Sequence, residues 1–229
     1  MTIEGLQKLT LLDFPGKTAC TVFLGGCNFR CPFCHNFDLA ARPSAPLMEE
    51  EQFFAFLEQR KGLIDGVAIT GGEPLMRREL PDFLRKIKGL GYPVKLDTNG
   101  SFPDRLQALV EEGLIDYVAM DVKNAPARYG ETVGFQKLGL GPIEKSVAFL
   151  KSGAVDYEFR TTVVKELHRP EDMAAIAEWL QGAKRYFLQQ FKQSEQVPNE
   201  GLTAPDYQTM QEYLQIVREK VPAAEVRGI

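Results

Sequence analysis

Six short runs rich in β-branched and aromatic residues recur along the chain, each leading through a loop into a stretch of helical periodicity. The runs are Thr18–Leu24, Gly66–Thr70, Pro93–Leu96, Asp116–Ala119, Val155–Val164 and Tyr186–Phe191. Helical stretches are expected over Met48–Lys61, Glu79–Leu90, Pro103–Glu112, Pro142–Ser152, Pro170–Leu180 and Asp206–Lys220, with a turn at Arg42-Pro43-Ser44-Ala45-Pro46. In the second helix Leu80, Phe83, Leu84 and Ile87 share one side, the spacing of an amphipathic helix. Strands alternating with helices predict an α/β fold on a parallel sheet with right-handed crossovers. Six units are too few for a closed eight-unit barrel.

Reactive residues gather in the loops after the first four runs. Parallel strands bring their C-terminal ends together, so loops remote in sequence can surround one site. The first loop holds Cys27, Cys31 and Cys34, spaced C-x3-C-x2-C, after Gly25-Gly26. Iron–sulfur clusters are held by thiolates, and a four-iron cluster ordinarily takes four, so three leave one iron open for chemistry. Three thiols on one buried helix face is the bland alternative, but Pro32 between them would break a regular helix. Structural zinc draws on two separated pairs, whereas the remaining cysteine, Cys20, lies inside the first apolar run. His35 is a poor fourth ligand, because its neighbour Cys34 would have to bind the same ion.

The later loops are Gly71-Gly72-Glu73-Pro74, Asp97-Thr98-Asn99-Gly100 and Met120-Asp121-Val122-Lys123. Glycines without Cβ let a backbone approach a ligand, and Glu73 offers acceptors suited to an amino group; alone the motif reads better as a tight turn with a solvated glutamate, and the cysteine loop one unit earlier favours the ligand. Asn99-Gly100 suggests a hairpin turn, but the helical stretch after it favours a strand-to-helix loop. Asp97 and Asp121 can bind a hard cation, hydrogen-bond a ribose or simply be solvated. Lys123 and Arg160 are donors for a carboxylate, or ordinary solvated cations. His168 reads as a surface histidine.

In this order the motifs resemble those of the radical S-adenosylmethionine (SAM) enzymes, with Phe33 before the last cysteine and His35-Asn36 after it. The likeness covers nearly the whole chain and is closest to the activating enzymes of glycyl-radical proteins. Leu9–Lys17 is similar to the N-terminal segment of anaerobic ribonucleoside-triphosphate reductase activating proteins. The resemblance implies one domain over residues 1–229, folded as a partial (β/α)6 barrel. It also implies a [4Fe-4S] cluster on Cys27, Cys31 and Cys34, with SAM chelated at the open iron through its amino nitrogen and carboxylate. One electron would then split a carbon–sulfur bond, giving methionine and a 5′-deoxyadenosyl radical.

By the same resemblance the Gly71-Gly72-Glu73 loop holds the methionine amino group, Phe33 lies near the adenine, and Asn99 belongs to the cofactor site. Asp97, Thr98, Asp121 and the Met120 backbone match the ligands of a monovalent cation near the methionine carboxylate. Lys123, and less directly Arg160, are implied to meet that carboxylate, while His35 and Asn36 stand behind the ligands. One departure matters: pyruvate formate-lyase activating enzyme has a late cofactor-contacting histidine, whereas Leu188-Gln189-Gln190-Phe191 has none, leaving Gln189 or Gln190. A small-molecule enzyme such as 7-carboxy-7-deazaguanine synthase is the alternative, but there an Asp-Thr pair follows the third cysteine where this chain has His35-Asn36.

Bulk properties narrow the partners. The net charge of −4, with basic and acidic residues intermixed, carries no nucleic-acid footprint. Four cysteines, three in one loop, are not a disulfide framework and point to metal in a reducing compartment. No signal peptide or membrane-spanning run is read, so the expected location is cytoplasmic, with no membrane partner. The likeness implies a large glycyl-radical enzyme as substrate and a flavodoxin- or ferredoxin-like reductant. A zinc or electron-transfer protein without catalysis is the reading from another class.

Overall fold

Strand order in space follows strand order in sequence. The structure, a computed structural model, describes residues 1–41 and 45–228, so most of the turn expected at Arg42-Pro43-Ser44-Ala45-Pro46 lies outside the described residues. In chain order its elements are β1 (Thr2–Ile3), β2 (Gly5–Thr10), β3 (Ala19–Leu24), α1 (Phe37–Ala41), β4 (Met48–Glu49), α2 (Glu50–Gln59), β5 (Gly66–Gly71), α3 (Leu80–Gly89) and β6 (Val94–Thr98). There follow α4 (Pro103–Glu111), β7 (Tyr117–Asp121), α5 (Tyr129–Thr132), α6 (Gly141–Lys151), β8 (Asp156–Val163), α7 (Pro170–Trp179), β9 (Tyr186–Gln190), α8 (Tyr207–Arg218) and β10 (Ala224–Arg227). The main sheet has eight strands in the order β10-β9-β8-β7-β6-β5-β3-β2. Neighbours from β3 to β10 pair in parallel, and β2 joins β3 antiparallel. Thr2 and Ile3 pair separately with Glu49 and Met48.

Each crossover adds its strand on the same side, which is the winding of a barrel rather than of a doubly wound sheet. The end strands β2 and β10 do not pair with each other, so the barrel is open. Alternation along the strands sorts the side chains by face. Cys20, Val22, Leu24, Val67, Ile69, Leu96, Val118, Met120, Phe159 and Leu188 are fully buried in one core. The same core takes Phe53 and Leu57 of α2, Phe83, Leu84 and Ile87 of α3, and Met210 and Val217 of α8. At about 1.5–3 kcal/mol for each such side chain removed from water, this interface holds the helices on the sheet.

The opposite face is polar. Lys95 and Asp97 of β6, Tyr117 and Asp121 of β7, Glu158, Arg160 and Thr162 of β8 and Gln189 of β9 alternate with the apolar set. The ladder sets Lys95 opposite Tyr117, Asp121 opposite Arg160, and Thr162 opposite Gln189. A face of charged residues cannot sit under a second layer of apolar helices, so these side chains fill the barrel interior instead. Phe14, just after β2, closes the interior beside Tyr117 and Ala19. Gly66 is needed there, because a Cβ would come within 2.9 Å of the Phe14 ring.

Proline at the first turn starts α3, α4, α6 and α7, where its missing N–H is no loss. Asp206 caps α8 by accepting from the Thr209 N–H at 2.8 Å. The six expected strands and six expected long helices are all present, within a few residues at their ends. β2 and β10 are additions to the expected sheet.

Candidate active site

A cavity of about 430 Å³ opens at the C-terminal edge of the sheet, lined from the loops after β3, β5, β6 and β7, by Arg160 and Thr162 of β8 and by Gln189 of β9. Cys27, Cys31 and Cys34 all face it. Their loop is anchored by main-chain bonds: Gly26 N donates to Leu39 O at 2.9 Å, Cys27 N to Ala40 O at 3.1 Å, and Arg30 N to Val133 O at 2.9 Å. Asn36 Nδ2 donates to Gly71 O at 3.1 Å, and His35 Nε2 lies 2.6 Å from Lys192 O, tying the loop across the cavity mouth to the end of β9. The thiols are free. Burial pushes all three above the ordinary thiol range, Cys31 up to about 12. Lys123 pulls the other way on each. Cys20 lies on the helix side of β3, wholly buried and away from the cavity.

Among the described residues no group of three or more His, Cys, Asp or Glu gathers closely enough for a single metal ion. Three thiols spread around one open space, not gathered about one point, do not fit a four-coordinate zinc site. They do fit a cluster, whose irons take thiolates at separate corners.

The Gly71-Gly72 loop lies against the cysteine loop. Gly72 N donates to Leu24 O and Glu73 N to Gly26 O, both at 2.8 Å. A Cβ on Gly72 would stand 2.0 Å from Gly26 O, so the glycine serves the contact between the two loops. Glu73 departs from its expected place. Its carboxylate is 0% exposed and accepts from Leu75 N at 3.0 Å, Thr98 Oγ1 at 2.9 Å and Asn99 N at 2.7 Å, joining the β5 and β6 loops beneath the cavity lining. Burial raises it to about 7 despite these donors. Asn99 accepts from Ser101 through Oδ1 at 3.0 and 2.6 Å, which turns its amide nitrogen toward Asn28 Oδ1 at 2.9 Å and Cys27 Sγ at 3.9 Å.

A chain of alternating charges crosses the strand ends. Lys95 Nζ bonds one oxygen of Asp97, and Arg160 Nη1 reaches the other at 3.3 Å. Arg160 Nε meets Asp121 Oδ1 at 2.9 Å, and Lys123 Nζ meets Asp121 Oδ2 at 2.9 Å. Burial is the largest single influence and would raise both carboxyls, but Arg160 together with Lys95 at Asp97, and together with Lys123 at Asp121, outweighs it, so both sit below the usual range. Asp121 correspondingly holds Lys123 and Arg160 protonated against their burial. Three cations and two carboxylates alternate along this chain. The Arg160 guanidinium bridges the two carboxylates.

Phe33, Thr98 and Gln189 line the cavity, whereas Gln190 turns its amide to Pro205 O at 2.8 Å. Met120 faces the helices, with its side chain against Gly100. His168 is not on the surface: it is 1% exposed, held between the loops after β7 and β8. The cavity also draws on Asp13, Thr70 and Thr162, and the charge chain on Lys95, none of which the motifs point to. A lysine between Val94 and Leu96 in an otherwise apolar run is the one signal that could have drawn attention to the interior face.

The fold and this site define a class of α/β enzyme whose cofactor chemistry sits at the C-terminal edge of an open barrel. The chain belongs to the radical SAM superfamily, whose family model matches residues 21–184. A protein of Methanocaldococcus jannaschii, provisionally assigned as a glycyl-radical enzyme activating enzyme, is 32% identical over 235 residues, 99% of this chain and 96% of that protein. A 7-carboxy-7-deazaguanine synthase of Hyperthermus butylicus is 38% identical over 92 residues, 39% of this chain and 38% of that enzyme. Among solved structures, a domain of pyruvate-formate lyase-activating enzyme from Bacteroides vulgatus superposes with a TM-score of 0.58 at 18% identity, covering 71% of this chain and 99% of that domain. That last likeness concerns the fold.

Proposed function

We propose that the chain is an activase that generates a glycyl radical on a partner enzyme, anaerobic ribonucleoside-triphosphate reductase being the particular partner. The observation that carries this reading is three free thiols facing one cavity, beside the alternating charges of Lys95, Asp97, Arg160, Asp121 and Lys123 at the ends of β6, β7 and β8. Cys27, Cys31 and Cys34 would hold a [4Fe-4S] cluster, and the rest of the cavity would hold SAM. Together these groups supply one-electron cleavage of a carbon–sulfur bond and a carbon radical able to remove a hydrogen atom.

The protein's part is to orient the cofactor and exclude water. The ammonium of Lys123 and the guanidinium of Arg160 at the cavity wall suit a carboxylate. Gly71 and Gly72 leave main chain at the cavity wall where an amino group can be met, and Phe33 offers an apolar surface for a base. Gln189, which lines the cavity, would take the role of the late histidine. Arg160 between Asp97 and Asp121 supplies internally the charge that a monovalent cation would bring. An external donor of the flavodoxin or ferredoxin kind would supply the electron.

Support for an activase is the length of the likeness to the archaeal relative, which runs the whole chain. Matches to 7-carboxy-7-deazaguanine synthases reach 68% of the chain, at 30% identity, against 99% for the archaeal relative, and His35-Asn36 takes the place of their Asp-Thr pair. The test is anaerobic mixing of the reconstituted, reduced protein with SAM and the reductase. The reading expects a glycyl radical in the electron paramagnetic resonance (EPR) spectrum and 5′-deoxyadenosine in solution. 5′-Deoxyadenosine formed only on addition of a carboxylated pterin-like substrate would overturn it.

A further inference from the structure

His168 lies outside the cavity, yet its ring is bonded at both nitrogens. The Val164 N–H can only donate, so Nδ1, 3.1 Å away, accepts. The ring hydrogen therefore sits on Nε2, which donates to Lys123 O at 3.0 Å. Burial lowers the histidine below its ordinary range, in keeping with a neutral ring that gives one hydrogen bond and takes another. Its own main chain is fixed as well: His168 N donates to Val164 O at 3.0 Å, and Tyr213 Oη of α8 donates to His168 O at 3.0 Å.

The contact falls where the sheet stops holding β7. Val122 N still donates to Arg160 O at 2.8 Å, and Thr161 Oγ1 to Val122 O at 2.7 Å. One residue later the ladder has ended, and the hydrogen bond to the Lys123 carbonyl comes from His168. Where Lys123 points its ammonium depends on that backbone, since Asp121 fixes Nζ from the other end. We propose that His168 is a positioning residue that sets Lys123 for the carboxylate of SAM, an inference that rests on Lys123 meeting that carboxylate.

Two substitutions separate the halves of the ring. In His168→Gln the amide nitrogen can stand where Nε2 stood and keep the bond to Lys123 O. In His168→Asn the amide can keep the Val164 contact but does not reach Lys123. SAM affinity is read from the change that SAM makes in the EPR signal of the reduced, reconstituted protein, and folding from the Tm of the cluster-free chain. H168N is expected to weaken SAM binding about tenfold, in the range seen for residues that orient a metal or cofactor ligand, and H168Q less than about threefold. In a K123M background H168N should add almost nothing, because both changes remove one unit. An intact H168N beside a weakened K123M overturns the inference alone, and so does full additivity of the two. Unchanged binding in K123M removes the carboxylate reading and this inference with it. Should H168N fail to fold, a folded H168Q decides: near-native affinity upholds the assignment, and a tenfold loss overturns it.

Discussion

Four cysteines divide into two kinds by what surrounds them. Cys27, Cys31 and Cys34 open on the cavity, whereas Cys20 is packed among the apolar side chains of β3 and the helices. Changing any one of the first three to Ala is expected to abolish both the reconstituted cluster and SAM cleavage. Cys20→Ala should keep both and lose about 1 kcal/mol of stability through the small cavity it leaves. Iron and sulfide counts on the four variants, with 5′-deoxyadenosine assayed alongside, check this directly. Glu73 carries a pH signature. Its folded-state value of about 7 lies above the ordinary 4.5, so the folded chain binds this proton more tightly than the unfolded one. The stability it contributes is complete below pH 4.5 and is lost as the pH rises through 7, roughly 3 kcal/mol at 1.4 kcal/mol per unit. Denaturant titrations of the cluster-free chain should show this fall, and Glu73→Gln should remove it. An E73Q variant with the same pH slope would exclude Glu73 as its source.

At the scale of elements, two neighbouring loops and three neighbouring strand ends make the site. The β5 loop touches the cysteine loop so closely that Gly72→Ala would drive a Cβ into Gly26 O at 2.0 Å. One of the two loops must move, and the expected outcome is a folded protein that takes up less than half its iron. Normal iron content in that variant would show the contact to be dispensable. Across the strand ends, Lys95 and Arg160 neutralise Asp97 together. Lys95→Met should lower stability by about 3 kcal/mol, as expected when a buried pair loses one member. It should also make SAM cleavage respond to added potassium, whereas the unaltered enzyme should work equally well in potassium and in a bulky organic cation.

The same elements show what could be read beforehand. The cysteine loop is legible because its meaning is local: three thiols, a proline and a glycine pair within one short segment. The core strands are legible because Val67-Ala68-Ile69 and Val118-Ala119-Met120 are apolar throughout. β2 and β10 are edge strands, and Gly5–Thr10 carries three consecutive exposed residues, so neither has the burial that leaves a pattern. The Lys95–Asp97–Arg160–Asp121–Lys123 chain exists only once register brings three strands side by side. The burial of His168 and Glu73 likewise depends on loops that meet in space and not in sequence.

For the whole molecule, winding in one direction leaves a barrel with an open side, a charged interior and its reactive loops at one edge. Among the described residues no helix is long and apolar enough to cross a membrane. The central claim is that three thiolates hold a cluster whose remaining iron is left for SAM. Electron–nuclear double resonance of the reduced, reconstituted protein with SAM labelled with nitrogen-15 at the amino group tests it most directly. A nitrogen coupling large enough to require direct bonding to iron is the predicted result. A cluster whose spectrum is indifferent to SAM, or no cluster at all, would contradict it.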